Sequence, residues 1–150
     1  MANDPPLTPY LTCRDAAAAI EFYRAAFVAD EEMRLADPQG RIAHAQLRIH
    51  GALLMLAEEF PGFGQSPAAL GGTAVTLHLY VADADAVVAR AVAAGATVER
   101  AVQDQFYGDR SGTIVDPFGH RWMISMRVEA VSTEEMRRRY AELLKQGGSD

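Results

Sequence analysis

Apolar and polar positions along the chain alternate in two rhythms, and the same succession of rhythms occurs twice. Residues 7–13, "LTPYLTC", and 75–81, "VTLHLYV", alternate as half-buried strands do. An aspartate follows each, Asp15 and Asp83, placed to accept hydrogen bonds from the free N–H groups of a helix start. After Asp15, Ile20, Tyr23 and Phe27 lie on one helical face; after Asp83, Val87, Val88, Ala91 and Val92 form the stripe. Gly95 then suits a left-handed helix end. Three strands follow in each half, near "EEMRLA", "IAHAQLRI" and "ALLMLA" in the first and near "ATVERAV", "GTIVD" and "RWMISMRV" in the second. A shift of 68 positions places Asp15 on Asp83, Leu47 on Val115, Gly51 on Gly119 and Met55 on Met123, and it is expected to hold from Thr8 to Met55 without insertion.

The expected fold class is therefore α+β, with tandem β-α-β-β-β modules in one domain over residues 1–150. Module one spans 7–60, a Pro- and Gly-rich linker with room for one helical turn spans 61–73, and module two spans 74–128. A C-terminal helix is expected over 132–146. Ser132 and Glu135 form its capping box, and Met136, Tyr140, Leu143 and Leu144 form an apolar stripe that must pack on this chain or on a partner.

Strand alternation sorts the side chains further. Leu77, Leu79 and Val81 belong under a helix; Thr76, His78 and Tyr80 face the other way. In the first strand Leu7, Leu11 and Cys13 oppose Thr8, Tyr10 and Thr12. In the last strand Trp122, Ile124, Met126 and Val128 oppose Met123, Ser125 and Arg127; in the third, His44, Gln46 and Arg48 oppose Ala43, Ala45, Leu47 and Ile49. The second face is too polar for a core and too apolar for plain solvent, which suits the concave wall of a small-molecule site.

Composition narrows the partners. A net charge of −6 argues against nucleic acid, which calls for a basic face. Arg137, Arg138 and Arg139 lie on the C-terminal helical pattern and read as a solvated face. With Cys13 as the only cysteine, there is neither an internal disulfide nor a thiolate zinc cluster. "MANDPPLTPY" lacks the features of a secretory signal, and no stretch reaches the ~20 apolar residues of a membrane span, so a cytoplasmic protein without membrane partners is expected.

The tandem modules, "RDAAAAIEFY" after the first strand and "DPFGHRW" before the last resemble the vicinal oxygen chelate superfamily over roughly residues 7–128. That superfamily includes glyoxalase I, extradiol dioxygenases and the bleomycin and fosfomycin resistance proteins. "DQFYGDRSGTIVDPFGHRWMIS" is most similar to its PhnB-like branch. The resemblance implies a cavity built from paired modules, often with a second chain contributing, and hence a homodimer. It also implies four metal-ligand positions, usually His and Glu. These fall here on Thr8, Met55, Thr76 and Met123. Threonine hydroxyls are poor donors to divalent ions, and thioethers suit copper(I). No metal and no cofactor is expected.

The candidate ligand-binding residues are Tyr10, His44, Met55, His78, Tyr80, Phe106, Tyr107, Arg110 and Met123. His78, with His44 on the same face, is a general base, a hydrogen-bond partner or a packed wall residue. Met55 and Met123 form a soft floor or fill a core. Tyr10, Tyr80, Phe106 and Tyr107 stack on a ligand or on their neighbours. Arg110 and Arg127 pair with an anionic group or with solvent. His50 and His120, beside turn glycines, read as exposed turn residues. No Walker loop, GxGxxG or Ser-His-Asp spacing occurs. The leading expectation is metal-free binding of a small organic molecule, such as sequestration of a toxic compound. The alternatives are a metal-dependent lyase, isomerase or dioxygenase, and a protein whose dimer surface and last helix serve a macromolecule.

Overall fold

Both aspartates cap as their spacing predicts. Asp15 Oδ1 accepts from the Ala18 amide at 3.1 Å, and Asp83 Oδ1 from the Ala86 amide at 3.0 Å. In the computed structural model, which describes residues 5–147, these caps open helices α1 (Ala16–Phe27) and α3 (Ala84–Ala93). Residues 1–4 and 148–150, part of the expected domain, lie outside the described residues.

Each helix stands between the first and second strands of its module. Module one contributes β1 (Tyr10–Cys13), β2 (Asp30–Ala36), β3 (Ile42–Ile49) and β4 (Ala52–Glu58). A short α2 (Pro67–Leu70), capped by Ser66, occupies the linker. Module two contributes β5 (Thr76–Tyr80), β6 (Thr97–Asp104), β7 (Asp109–Val115) and β8 (Arg121–Arg127), and α4 (Thr133–Lys145) follows. The result is two four-stranded mixed sheets of the same order, β1-β4-β3-β2 and β5-β8-β7-β6. The first and last strands of each module pair in parallel, with Tyr10 opposite Met55 and His78 opposite Met123. Those pairs are repeat mates under the 68-residue shift.

The shift fails at one place. Met55 lies opposite Gln46, whereas Met123 lies opposite Thr113, so the third strands correspond with one residue less. The cause is the turn. His50 and Gly51, both left-handed, close β3 onto β4, while the longer "DPFGH" turn joins β7 to β8. Gly119 in that turn has φ +92°, and a Cβ there would lie 2.6 Å from Cβ of Pro67, so the turn and α2 can meet only over glycine.

Expectations about packing change at two positions, and a third is met in part. Leu7 is exposed because the strand begins only after Pro9, which has no N–H to donate. Val92 is also exposed, at the end of the α3 stripe. The α4 stripe is only partly covered: Tyr140 stacks on Phe106 with ring centroids 5.8 Å apart, and no residue of α4 is fully buried.

The two modules share one core. Ile20, Tyr23 and Phe27 are fully buried, α1 touches α3, and Leu47 and Leu56 belong to the same apolar cluster as Ile114, Trp122 and Ile124. Phe27 and Tyr23 reach across to Trp122, with ring centroids 4.7 and 5.4 Å away. The polar centre of this junction is Asp116 of "DPFGHRW". Its buried carboxylate accepts from Tyr23 Oη at 2.5 Å, Trp122 Nε1 at 2.9 Å and the amides of Phe118 and His120. His120 is no exposed turn residue. Its Nε2 lies 3.0 Å from the Thr12 carbonyl oxygen and ties the second module to β1. His50 does sit exposed in its turn.

Candidate functional site

With the helix-bearing faces consumed by the core, the opposite face of each sheet is left for a ligand. In module two the registers arrange it in rows. Thr76 and Arg121 form one row; His78, Met123 and Thr113 the next; Tyr80, Ser125 and Ser111 a third; Arg127 and Asp109 the last. A cavity of about 770 Å³ opens on this face, lined in part by Thr76, Ser111, Thr113, Met123, Phe106 and Tyr107.

The side chains of this face hold one another in place. His78 Nε2 lies 2.8 Å from Ser125 Oγ, and its ring lies against Tyr80 with centroids 4.6 Å apart. Ser125 is fully buried, so it orients His78 and is not an accessible nucleophile. Tyr80 donates to Asp109 Oδ2 at 2.7 Å, and Arg127 Nε donates to Asp109 Oδ1 at 2.9 Å. Asp109 is only 2% exposed, so the cation and the phenol are what make its charge tolerable there. Its hydrogen bond raises the Tyr80 pKa above the ordinary phenol value, and Arg127 opposes the shift.

Module one has its own open face. Tyr10 Oη lies 2.7 Å from His44 Nδ1, His44 Nε2 lies 3.0 Å from Gln46 Oε1, and Met55 sits between Tyr10 and Gln46. A separate cavity of about 750 Å³ lies there, lined among others by Tyr10, Thr12, Phe60 and Phe63. The two cavities share no residue: one draws only on positions 76–123, the other only on 10–64.

The structure thus gathers the sequence candidates into two groups. In module two Met123, Phe106 and Tyr107 line the cavity while His78 and Tyr80 stand beside it on the same face; in module one Tyr10 lines its cavity while His44 and Met55 stand beside Tyr10. Arg110 joins neither. It lies opposite Met126 on the helix side, where Asp85 at 2.8 Å and Asp104 at 3.1 Å hold it, and both carboxylates raise its pKa. Asp109, Ser111 and Thr113 were missed. The alternation in "DRSGTIV" places all three on one face once β7 starts at Asp109 and not at Gly112.

The family's metal does not fit these residues. Thr76 and Met123 do line one cavity, as the carried-over positions require. Their donors are a neutral hydroxyl and a thioether, and among the described residues no group of three or more His, Cys, Asp or Glu is clustered to hold an ion. Among the described residues no helix is long and apolar enough to cross a membrane.

Residues 7–124 match the profile of the Glyoxalase/Bleomycin resistance protein/Dioxygenase superfamily. The uncharacterized protein Mb0911c of Mycobacterium bovis is 47% identical over 137 residues, covering 89% of this chain and 90% of its own length. The structure of the Arabidopsis thaliana gene product At5g48480 superposes with a TM-score of 0.63 at 27% identity, covering 82% of this chain and 98% of that one. A Bacillus cereus PhnB protein, described as a putative 3-demethylubiquinone-9 3-methyltransferase, has the same fold. Its TM-score is 0.63 at 16% identity, over 81% of this chain and 99% of that one.

Proposed function

We propose that this chain, which belongs to the Glyoxalase/Bleomycin resistance protein/Dioxygenase superfamily, binds a small organic molecule in the module-two cavity without a catalytic metal. The observation that carries the reading is Met123. It stands where the superfamily's resemblance puts a carboxylate ligand, and the cavity around it is lined by hydroxyls, aromatic rings, two glutamines and the charged side chains Glu99, Arg100 and Arg121. Such a lining recognises a ligand by shape and a few hydrogen bonds. Its hydroxyl and thioether donors are poorly suited to the divalent Lewis acid on which the metal-dependent relatives' chemistry depends.

The reading includes a homodimer in which module one of each copy covers the module-two cavity of the other. In its support, the two open faces form separate cavities, and the module-one cavity is lined by Phe63, which is 76% exposed in the single chain. Light scattering should give twice the chain mass for the wild type and the chain mass for Phe63→Asp. A monomeric wild type would refute the paired arrangement.

Metal content tests the rest. Protein purified without chelator and offered nickel, zinc, manganese and iron should retain far less than one ion per chain. The quadruple variant Thr8→His, Met55→Glu, Thr76→His, Met123→Glu should gain divalent-metal affinity. A stoichiometric ion in the wild type would overturn the reading; a folded quadruple variant with no gain would show the carried-over positions to be wrong.

A further inference from the structure

We infer that the ligand of the module-two cavity is an elongated aromatic anion, its ring against Phe106 and Tyr107 and its charge at Arg100. The inference rests on the proposed binding reading and adds to it a direction and a sign of charge.

The direction follows from register. Arg100 on β6 lies opposite Thr113, and Gln103 opposite Ser111. Phe106 and Tyr107 follow in the turn that leads back into β7 at Asp109. Four residues of strand separate Thr113 from Asp109, a span of roughly 13 Å. All the side chains named in this path except Asp109 line the cavity. The cavity is therefore polarised along its length, with the Arg100 guanidinium and the Thr113 hydroxyl toward one end, Ser111 and Gln103 in the middle, and aromatic rings at the other end. The rings form a corner: Phe106 and Tyr107 meet edge-on, centroids 5.2 Å apart and planes at 90°, and Tyr140 of α4 stacks behind Phe106. A flat ring system fits such a corner by stacking on one wall and meeting the edge of the other.

The sign of charge follows from the pairing of the ionised groups. Arg121 at the rim is engaged by Glu99, with its Nε 3.0 and 3.2 Å from the two carboxylate oxygens. Asp109 is engaged by Arg127. Arg100 alone lines the cavity without a carboxylate partner among the described residues. The chain as a whole is acidic, at −6, but exposed charges farther than about 8 Å are largely screened at physiological salt, so the nearby guanidinium decides. Its planar fork matches a carboxylate or another oxyanion.

The test compares three molecules of one shape, para-phenylbenzoate, para-phenylbenzamide and para-phenylbenzylamine, titrated into the full chain by calorimetry with EDTA present. The carboxylate should bind at least about tenfold tighter than the amide, and the amine weakest. Arg100→Gln should weaken the carboxylate most and abolish its advantage over the amide. Phe106→Ala should weaken both. Equal binding of carboxylate and amide, tighter binding of the amine, or an unaltered Arg100→Gln would overturn the inference. So would silence from all three. In that case a wider compound screen separates the two levels. A neutral or cationic ligand whose binding is lost in Met123→Trp leaves the binding reading standing without this inference, and no ligand at all removes both.

Discussion

The most informative perturbation of the fold is Asp116→Ala. In the wild type this carboxylate serves two buried side-chain donors, Tyr23 from α1 and Trp122 from β8, and two turn amides. Truncation leaves the phenol and the indole N–H without an acceptor in a site that is fully buried at Tyr23 and 4% exposed at Trp122. An abandoned buried polar group costs about 1–3 kcal/mol, so the two together predict a loss of about 2–6 kcal/mol. Tyr23→Phe is milder. It deletes one hydrogen bond to a charged group, about 1.5–3 kcal/mol, and leaves Asp116 its other three donors. Both values come from urea unfolding followed by the fluorescence of Trp122, the single tryptophan, which reports on the junction itself. Because donor and acceptor belong to different modules, the variants should lower one shared transition and not split it. The Tyr23 pKa is raised well above 10.0 by burial first and then by Asp116. A raised folded-state pKa gives stability that is complete below the unfolded value and lost as pH rises through the folded one. The wild type should therefore lose stability above about pH 10 more steeply than Tyr23→Phe. A cost below 1 kcal/mol for Asp116→Ala would refute the account of the junction.

Other expectations follow from the same structure. Cys13 is fully buried, and burial, Asp116 and Glu58 all raise its pKa, so a disulfide-exchange reagent should fail to label it in native protein and label it on unfolding. Fast native labelling would contradict the packing of β1. Helix α4 is braced within itself by Glu135, whose pKa Arg138 and Arg139 lower to about 2, and docked by Arg139 on Glu129 and the Phe106 carbonyl. A lowered carboxylate pKa gives stability present above the unfolded value near 4.5 and lost as pH falls toward 2. Hydrogen exchange over residues 133–145 should accelerate in that window before the core amides do, and at neutral pH in Arg139→Ala. Exchange unchanged in both conditions would mean that other contacts dock the helix.

Much of the fold was legible because the chain states it twice. The two capping aspartates, the alternating strands and the glycine turns agree with one another, and the parallel pairs Tyr10–Met55 and His78–Met123 come directly from the repeat. The one-residue slip in the third strands was hidden because Gly51 and Gly119 coincide under the shift even though their turns differ in length. Face assignment succeeded on β5 and β8, where alternation is regular. It failed for Arg110, because starting β7 at Gly112 left that arginine in a loop of no fixed side. Local pattern also could not reveal that "DPFGHRW" reaches across the molecule, since Tyr23 and Asp116 are far apart in sequence and meet only when α1 packs against α3 and its aromatic rings reach Trp122.

The central claim, a metal-free ligand cavity around Met123, is tested most directly by a thermal-shift screen of small organic molecules run with and without EDTA. A ligand at one hundred times its Kd stabilises by about 2.7 kcal/mol, which for a domain of this size raises Tm by roughly 5–10 °C. The account predicts at least one compound with a shift of that order, unchanged by EDTA and abolished by Met123→Trp, which sets a bulky indole into the space where the ligand would lie. Shifts that vanish with the chelator, or that persist in Met123→Trp, would contradict it.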